Sequence, residues 1–209
     1  MSGSAVDAEY AALAADYDRS WAAYNRATTD RTLRTLRERA TRPGQALDVG
    51  CGTGGLLDEL LNELREPPWT GAGVDRSAEM LTVARRRLPH APLARGDAAA
   101  LPFPDDSFEA AATNSALHYA DDPAACIREL ARVTKPGGVV VWTDWDAGSL
   151  STRAVIAWLR LTRRPLGRTL SAAKMAAALT DAGLCDVRTD RWRHGWLWGL
   201  ATVSGVKRG

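Results

Sequence analysis

At 209 residues, with 45% hydrophobic and 25% charged content, the chain is long enough to bury the core of one α/β domain and lacks the composition of a disordered segment. Its 27 basic and 25 acidic residues leave a formal net charge of +2, too balanced for a nucleic-acid partner, which demands a clustered basic face. No apolar run approaches the ~20 residues that span a bilayer, Met1 to Tyr10 does not read as a secretory signal, and Cys51, Cys126 and Cys185 show neither metal-ligand spacing nor a disulfide framework; no membrane, no metal and a cytoplasmic location are expected.

Tyr10, Leu13, Tyr17, Trp21 and Tyr24 recur at spacings of three and four, predicting an aromatic stripe on one face of a helix or helix pair over 7–36. Arg42-Pro43-Gly44 breaks that pattern, and Gln45 to Gly50 reads as a short buried strand. A helix follows over 55–65, stopped by Pro67-Pro68; a second strand runs over 69–75; Ser77 stands as the N-cap of a helix over 78–88. Further strands are expected over 93–97 and 108–114, then a helix over 124–133 opened by Asp122-Pro123 and stopped by Lys135-Pro-Gly-Gly138, then a strand over 139–143. Residues 147–170, where Arg153, Arg160, Arg163, Arg164 and Arg168 stand among Leu, Ile and Trp residues, read as an inserted helical cover. A helix over 171–182 closes on Gly183, and two consecutive strands, 184–193 and 196–207, turn about His194-Gly195 and should pair antiparallel. Strands alternating with helices imply parallel βαβ units with helices on both faces of the sheet.

The first strand ends in Asp48-Val-Gly-Cys-Gly-Thr-Gly-Gly55, where glycines let the backbone turn sharply and approach a ligand. Gly50, Gly52 and Gly55 satisfy the dinucleotide fingerprint, whereas Asp48, Gly50, Gly52 and Gly54 satisfy an acidic-x-G-x-G-x-G pattern, so the turn alone suits either ligand. Asp75, closing the second strand, can accept from a ribose in both cases. Asp48 can receive the ammonium of an amino-acid ligand, which NAD lacks. In Gly96-Asp97-Ala98 a carboxylate beside an exposed amide suits the edge of an adenine.

With Leu47–Gly54, Gly73–Leu81, Gly96–Phe108 and Arg132–Gly138, the chain resembles the class I S-adenosylmethionine methyltransferases, particularly the small-molecule branch that includes ubiquinone and menaquinone C-methyltransferases. The resemblance is specific through Thr143 and generic beyond it. It implies a Rossmann-like, mostly parallel seven-stranded sheet whose last strand is antiparallel, with an N-terminal helical lid over 1–42, a cofactor domain over 43–209 and the cover at about 145–170. It further implies that Gly50, Cys51, Gly52 and Gly54 wrap the methionine part, Asp75 holds the ribose, Arg76 and Met80 flank adenine, Asp97 with Ala98 reads its edge, and Asn114 lies beside the methionine moiety. Tyr17 and its aromatic neighbours would close over the sulfonium.

The reaction so implied is in-line transfer to a nucleophile about 3 to 3.5 Å from an already activated methyl group, for which positioning can suffice. His118 is expected to border the transfer pocket as a candidate base, since an imidazole can take a proton from a hydroxyl or activated carbon acid, or simply to shape that pocket. The expected partner is a small-molecule methyl acceptor, and the expected assembly a monomer or homodimer. Two rival readings remain at this level: a non-catalytic S-adenosylmethionine-binding protein acting through a partner, and a nicotinamide-dependent oxidoreductase.

Overall fold

In the computed structural model, residues 17–63, 69–162, 164 and 166–209 are described. Tyr10, Leu13, the side chain of Tyr17 and the Pro67-Pro68 stop lie outside the described residues. The elements are α1 (Tyr17–Ser20), α2 (Ala22–Arg39), β1 (Gln45–Val49), α3 (Gly55–Glu63), β2 (Thr70–Asp75), α4 (Ala78–Arg87), β3 (Leu93–Arg95), β4 (Phe108–Asn114), a 3-10 turn (Leu117–Tyr119), α5 (Pro123–Val133), β5 (Thr134–Trp145), α6 (Leu150–Leu161), α7 (Ala172–Asp181), β6 (Leu184–His194) and β7 (Trp198–Lys207).

The strands form one sheet in the order β3-β2-β1-β4-β5-β7-β6. β1 to β5 are parallel, with Leu47 between Ala72 of β2 and Ala111 of β4. β7 runs antiparallel to both β5 and β6. Strand order therefore reverses between β1 and β4, and in open α/β sheets the crevice at that reversal is where ligands bind.

The pleat divides β5 between two cores. Val140 and Trp142 join Ile127, Leu130, Met175 and Leu179 on the face covered by α5 and α7, whereas Val139 and Val141 join Leu33, Leu36, Leu56 and Leu60 on the face covered by α2 and α3. The expected caps form: Ser77 accepts from the Met80 N–H at 3.1 Å, and Asp122 accepts from Ala124 and Ala125.

β3 ends at Arg95 and β7 begins at Trp198, each two residues inside the expected strand, and two larger differences concern β5 and the inserted cover. β5 starts at Thr134 rather than Val139, because Thr134 already pairs with Phe108; the ladder then shifts register at Phe108/Ala110, and Gly137 takes φ +77° in the slack. Among the described residues of the inserted cover only Leu150–Leu161 is helical; beyond it the chain returns to the sheet, where Ala147 N–H donates to the Leu170 carbonyl and Arg168 N–H to that of Ala120.

α2 seats itself on the sheet through hydroxyls as well as Leu33 and Leu36. Thr32 Oγ1 lies 2.7 Å from Thr143 Oγ1, itself 3.0 Å from Thr202 Oγ1, all buried. At the end of α2, Arg39 is buried and donates to Ser204 Oγ at 2.9 Å and to the Asp186 carbonyl at 2.6 Å. Because Asp186 is itself half exposed, the cost of Arg39→Ala falls on Ser204 and the Asp186 carbonyl, which lose their donor: about 2 kcal/mol. A lowered urea midpoint with unchanged slope is the expected result.

Candidate functional site

Two successive N–H groups, of Gly50 and Cys51, donate to the single Val74 carbonyl, at 2.8 and 3.0 Å, which pins the turn after β1 against the end of β2. Gly50, Gly52 and Gly54 all have positive φ, of 74°, 53° and 84°. Their surroundings differ. A β-carbon on Gly50 would fall 2.4 Å from Ala116 Cβ, and one on Gly54 2.9 Å from Leu88, whereas one on Gly52 would meet no atom within 4 Å. Gly50 and Gly54 are therefore glycines for packing, and Gly52 leaves space for a ligand.

That space is a cavity of about 810 Å³ at the strand-order reversal. Of the residues picked out from sequence, Asp48, Gly50, Cys51, Gly52, Asp75, Arg76, Met80, Asp97, Ala98 and Asn114 line it. Gly54 packs behind it on α4, and His118 does not line it.

Asp75 shapes the turn: one carboxylate oxygen accepts from Gly52 N–H and the other from Ser77 N–H, both at 2.8 Å. Burial raises its pKa, opposed by those N–H groups. Asp48 sits deeper, 3% exposed, and its Oδ2 has no hydrogen-bond partner. Burial and the nearby charge of Asp75 push it up to about 7. Asn114 donates to Thr28 and Thr29 of α2, while its own Oδ1 is buried with no partner. Asp48 pairs in register with Ala112, so Asn114, two residues further along β4, projects on the same face as Asp48. Two buried oxygen acceptors thus stand on neighbouring strands beside the cavity, a costly arrangement unless a donor meets them.

The lining carries eight acids (Asp18, Asp48, Asp58, Glu59, Asp75, Asp97, Asp121, Asp122) against four arginines (Arg26, Arg76, Arg87, Arg95). Such a wall favours a cationic ligand over a pyrophosphate. Three contacts here were not foreseen from sequence: Thr53 Oγ1 donates to Asp18 at 2.6 Å, Arg87 pairs with Asp18, and Arg87 donates to the Thr53 carbonyl. They hold the start of the helical N-terminal region against the glycine turn.

A family model described as a methyltransferase domain matches residues 47–142. A malonyl-[acyl-carrier protein] O-methyltransferase of Erwinia pyrifoliae is 35% identical over 187 residues, 82% of this chain and 68% of that protein. This chain belongs to the S-adenosylmethionine-dependent methyltransferases. The corresponding Halorhodospira halophila enzyme is 38% identical over 132 residues, but there the chain spans only 44% of its relative's length. Among solved structures, a Haloferax volcanii methyltransferase in complex with the Trm112 methyltransferase activator superposes with a TM-score of 0.77 at 25% identity, over 96% of this chain and 98% of that one. The seven-stranded Rossmann-like architecture is thus that of the methyltransferase fold.

In this methyltransferase His118 lies behind the cavity wall formed by its neighbours Leu117 and Tyr119. It is 3% exposed, its Nδ1 is 2.6 Å from Asp144 Oδ1, its backbone N–H donates to Asp144 Oδ2, and its ring stacks on Trp145 at 4.2 Å. Trp145 in turn donates to Tyr24 Oη, which is 2.8 Å from Ser115 Oγ on the cavity wall. With Nδ1 directed at a carboxylate, Nε2 is left as the unpartnered buried atom.

Proposed function

We propose that this chain binds S-adenosylmethionine in the cavity beneath the glycine turn and transfers its methyl group, without a metal, to a small-molecule acceptor. The observation that carries the reading is the pair of buried, unpartnered acceptors, Asp48 Oδ2 and Asn114 Oδ1, on one face beside an acid-lined cavity. An amino-acid ammonium supplies donors for such acceptors, whereas NAD has no such group. When bound, the sulfonium supplies a methyl group already activated for attack.

The chain's own residues then bind and orient. Asp48 and Asn114 receive the ammonium end, and the open side of Gly52 admits the backbone of the ligand. Asp75 keeps acceptor capacity for a ribose hydroxyl while holding the Gly52 and Ser77 N–H groups. Arg76 and Met80 flank the adenine, and Asp97 with Ala98 reads its edge. Residues 1–42 act as a cover, a reading supported by the Asp18 contacts to Thr53 and Arg87 and by Asn25 and Thr29 in the cavity lining.

Calorimetry with S-adenosylmethionine, S-adenosylhomocysteine and NAD tests the reading. Binding of the first two is expected; binding of NAD alone would overturn it. Methyl release into a panel of small acceptors separates an enzyme from a non-catalytic binder.

For His118, burial and its bond to Asp144 favour positioning of the 117–119 wall over proton transfer. His118→Ala is expected to lower turnover by less than about tenfold, with the pH profile unmoved, whereas loss of a general base costs about 100-fold or more and flattens the corresponding limb.

A further inference from the structure

α6 is apolar on both sides. Its inner face buries Thr152 and Ile156, and Thr152 exchanges hydrogen bonds with Gly199 of β7. Its outer face carries Leu150, Ala154, Ala157, Trp158 and Leu161, spaced to form one continuous stripe, all exposed, with Leu150 at 79%, Trp158 at 55% and Leu161 at 82%. Among the described residues, the only other strongly exposed large apolar side chain is Trp196, at 81%, in the β6–β7 turn just before the strand on which α6 sits. Burying such side chains elsewhere is favourable by about 1.5 to 3 kcal/mol each, so four left in water on neighbouring elements call for something to cover them.

Charge says what the cover is. From Ala147 to Thr180, and again from Arg191 to Gly209, the chain contains no Asp or Glu, although it has 25 in all. Arg153 and Arg160 run along one flank of the α6 stripe, Arg168 follows it, and Arg193 donates to the Trp196 carbonyl; all four are exposed. A second copy of the chain meeting this face symmetrically would bring like charges together. A helix lying with Leu and Trp on its outer face and arginines along its flank is instead the pattern of interfacial binding, where the arginine stems lie along the apolar boundary and their heads reach anionic headgroups.

We propose that α6 and the β6–β7 turn dock this protein peripherally on an anionic lipid surface. No described helix is long and apolar enough to cross a membrane, and docking needs none. The segment that follows α6 reaches the ligand cavity wall: a β-carbon on Gly167 would lie 2.4 Å from Tyr119 backbone, and Arg168 N–H donates to Ala120, with Tyr119 and Ala120 both in the cavity lining. The expectation of no membrane partner rested on the lack of a spanning segment, which does not bear on an interfacial helix.

The test is co-sedimentation of the full chain with vesicles of phosphatidylcholine alone or mixed with phosphatidylglycerol. Binding only to the mixed vesicles, weakening as salt is raised, is the expected result. Replacing Trp158 and Leu161 together by serine is expected to weaken partitioning by about 30-fold. Arg153→Glu and Arg160→Glu should each weaken it by at least about fivefold. Unchanged melting temperature and unchanged S-adenosylhomocysteine affinity confirm that these variants fold, and keep a failure of docking separate from a failure of the proposed activity.

The proposal is overturned by equal binding to neutral vesicles or by no sedimentation with either. It is also overturned if the Trp158/Leu161 variant only abolishes self-association on sizing with light scattering. Binding of a purified acidic acyl carrier protein through the same residues, with no vesicle binding, replaces it by an acidic protein partner.

Discussion

Asp48→Asn is expected to make the ligand-free protein more stable at pH 8 and, at the same time, about 100-fold weaker in S-adenosylmethionine binding. The Asp48 carboxyl is pushed from 3.8 to about 7 by burial and by the charge of Asp75. A carboxyl raised in this way holds its proton more tightly in the folded than in the unfolded chain. Between about pH 4 and pH 7 the folded state therefore carries the extra proton, and stability falls as pH rises through that window and stays reduced above it. The shift corresponds to up to about 4 kcal/mol, or about 10 °C in melting temperature for a chain of this size. Asparagine is neutral throughout and escapes that cost, but offers the ammonium a neutral oxygen in place of a charge. In the unaltered protein, affinity should drop by up to about tenfold per pH unit below 7, as protonation removes the acceptor charge. Thermal melts at pH 5 and 8 with calorimetry at both measure the two halves. Wild-type affinity in the variant at pH 8 would remove Asp48 from the ligand site.

Gly50→Val is expected to cost about 4 kcal/mol and to abolish binding. Two separate penalties meet at this residue: a φ of +74°, which an L side chain resists, and a β-carbon 2.4 Å from that of Ala116. Ala116 cannot retreat freely, because Ser115 before it is itself at φ +54° and within hydrogen-bond reach of Tyr24. Gly137→Ala isolates the first penalty, since Gly137 has φ +77° with nothing near its missing β-carbon. It should lose only about 1 kcal/mol and keep full affinity. Equal melting temperatures for the two variants would show that the approach to Ala116 carries no weight.

The strands and the glycine turn could be read from sequence because their cues are local: a buried run, a turn residue and an acid within a few positions of one another. Asp48, Asp75 and Asp97 each close or nearly close a strand, so topology alone delivers them to one crevice. The contacts that sequence did not reveal join distant residues. Asp18 meets Arg87, and His118 meets Asp144, with no periodicity to announce either. α2 shows only a weak apolar face because hydroxyls do part of its seating. α6 could be read as a cover from its Leu, Ile and Trp content, but a helix apolar on both sides does not disclose which side the fold will bury.

The threonines between α2 and the sheet tie one helix to three strands. A hydroxyl has one proton to give, and Trp192 Nε1, 3.2 Å from Thr202 Oγ1, can only donate. With Thr32 Oγ1 donating to Thr143 Oγ1 from the helix side and the indole donating to Thr202 Oγ1 from the strand side, the row is joined end to end, Thr143 and Thr202 lying 3.0 Å apart between them. Sliding α2 by a turn so that Leu36 took the place of Thr32 would leave Thr143 without its donor. The row of hydroxyls therefore indexes the helix against the sheet like a pin in a slot, and with it sets how far Asn25 and Thr29 reach into the cavity.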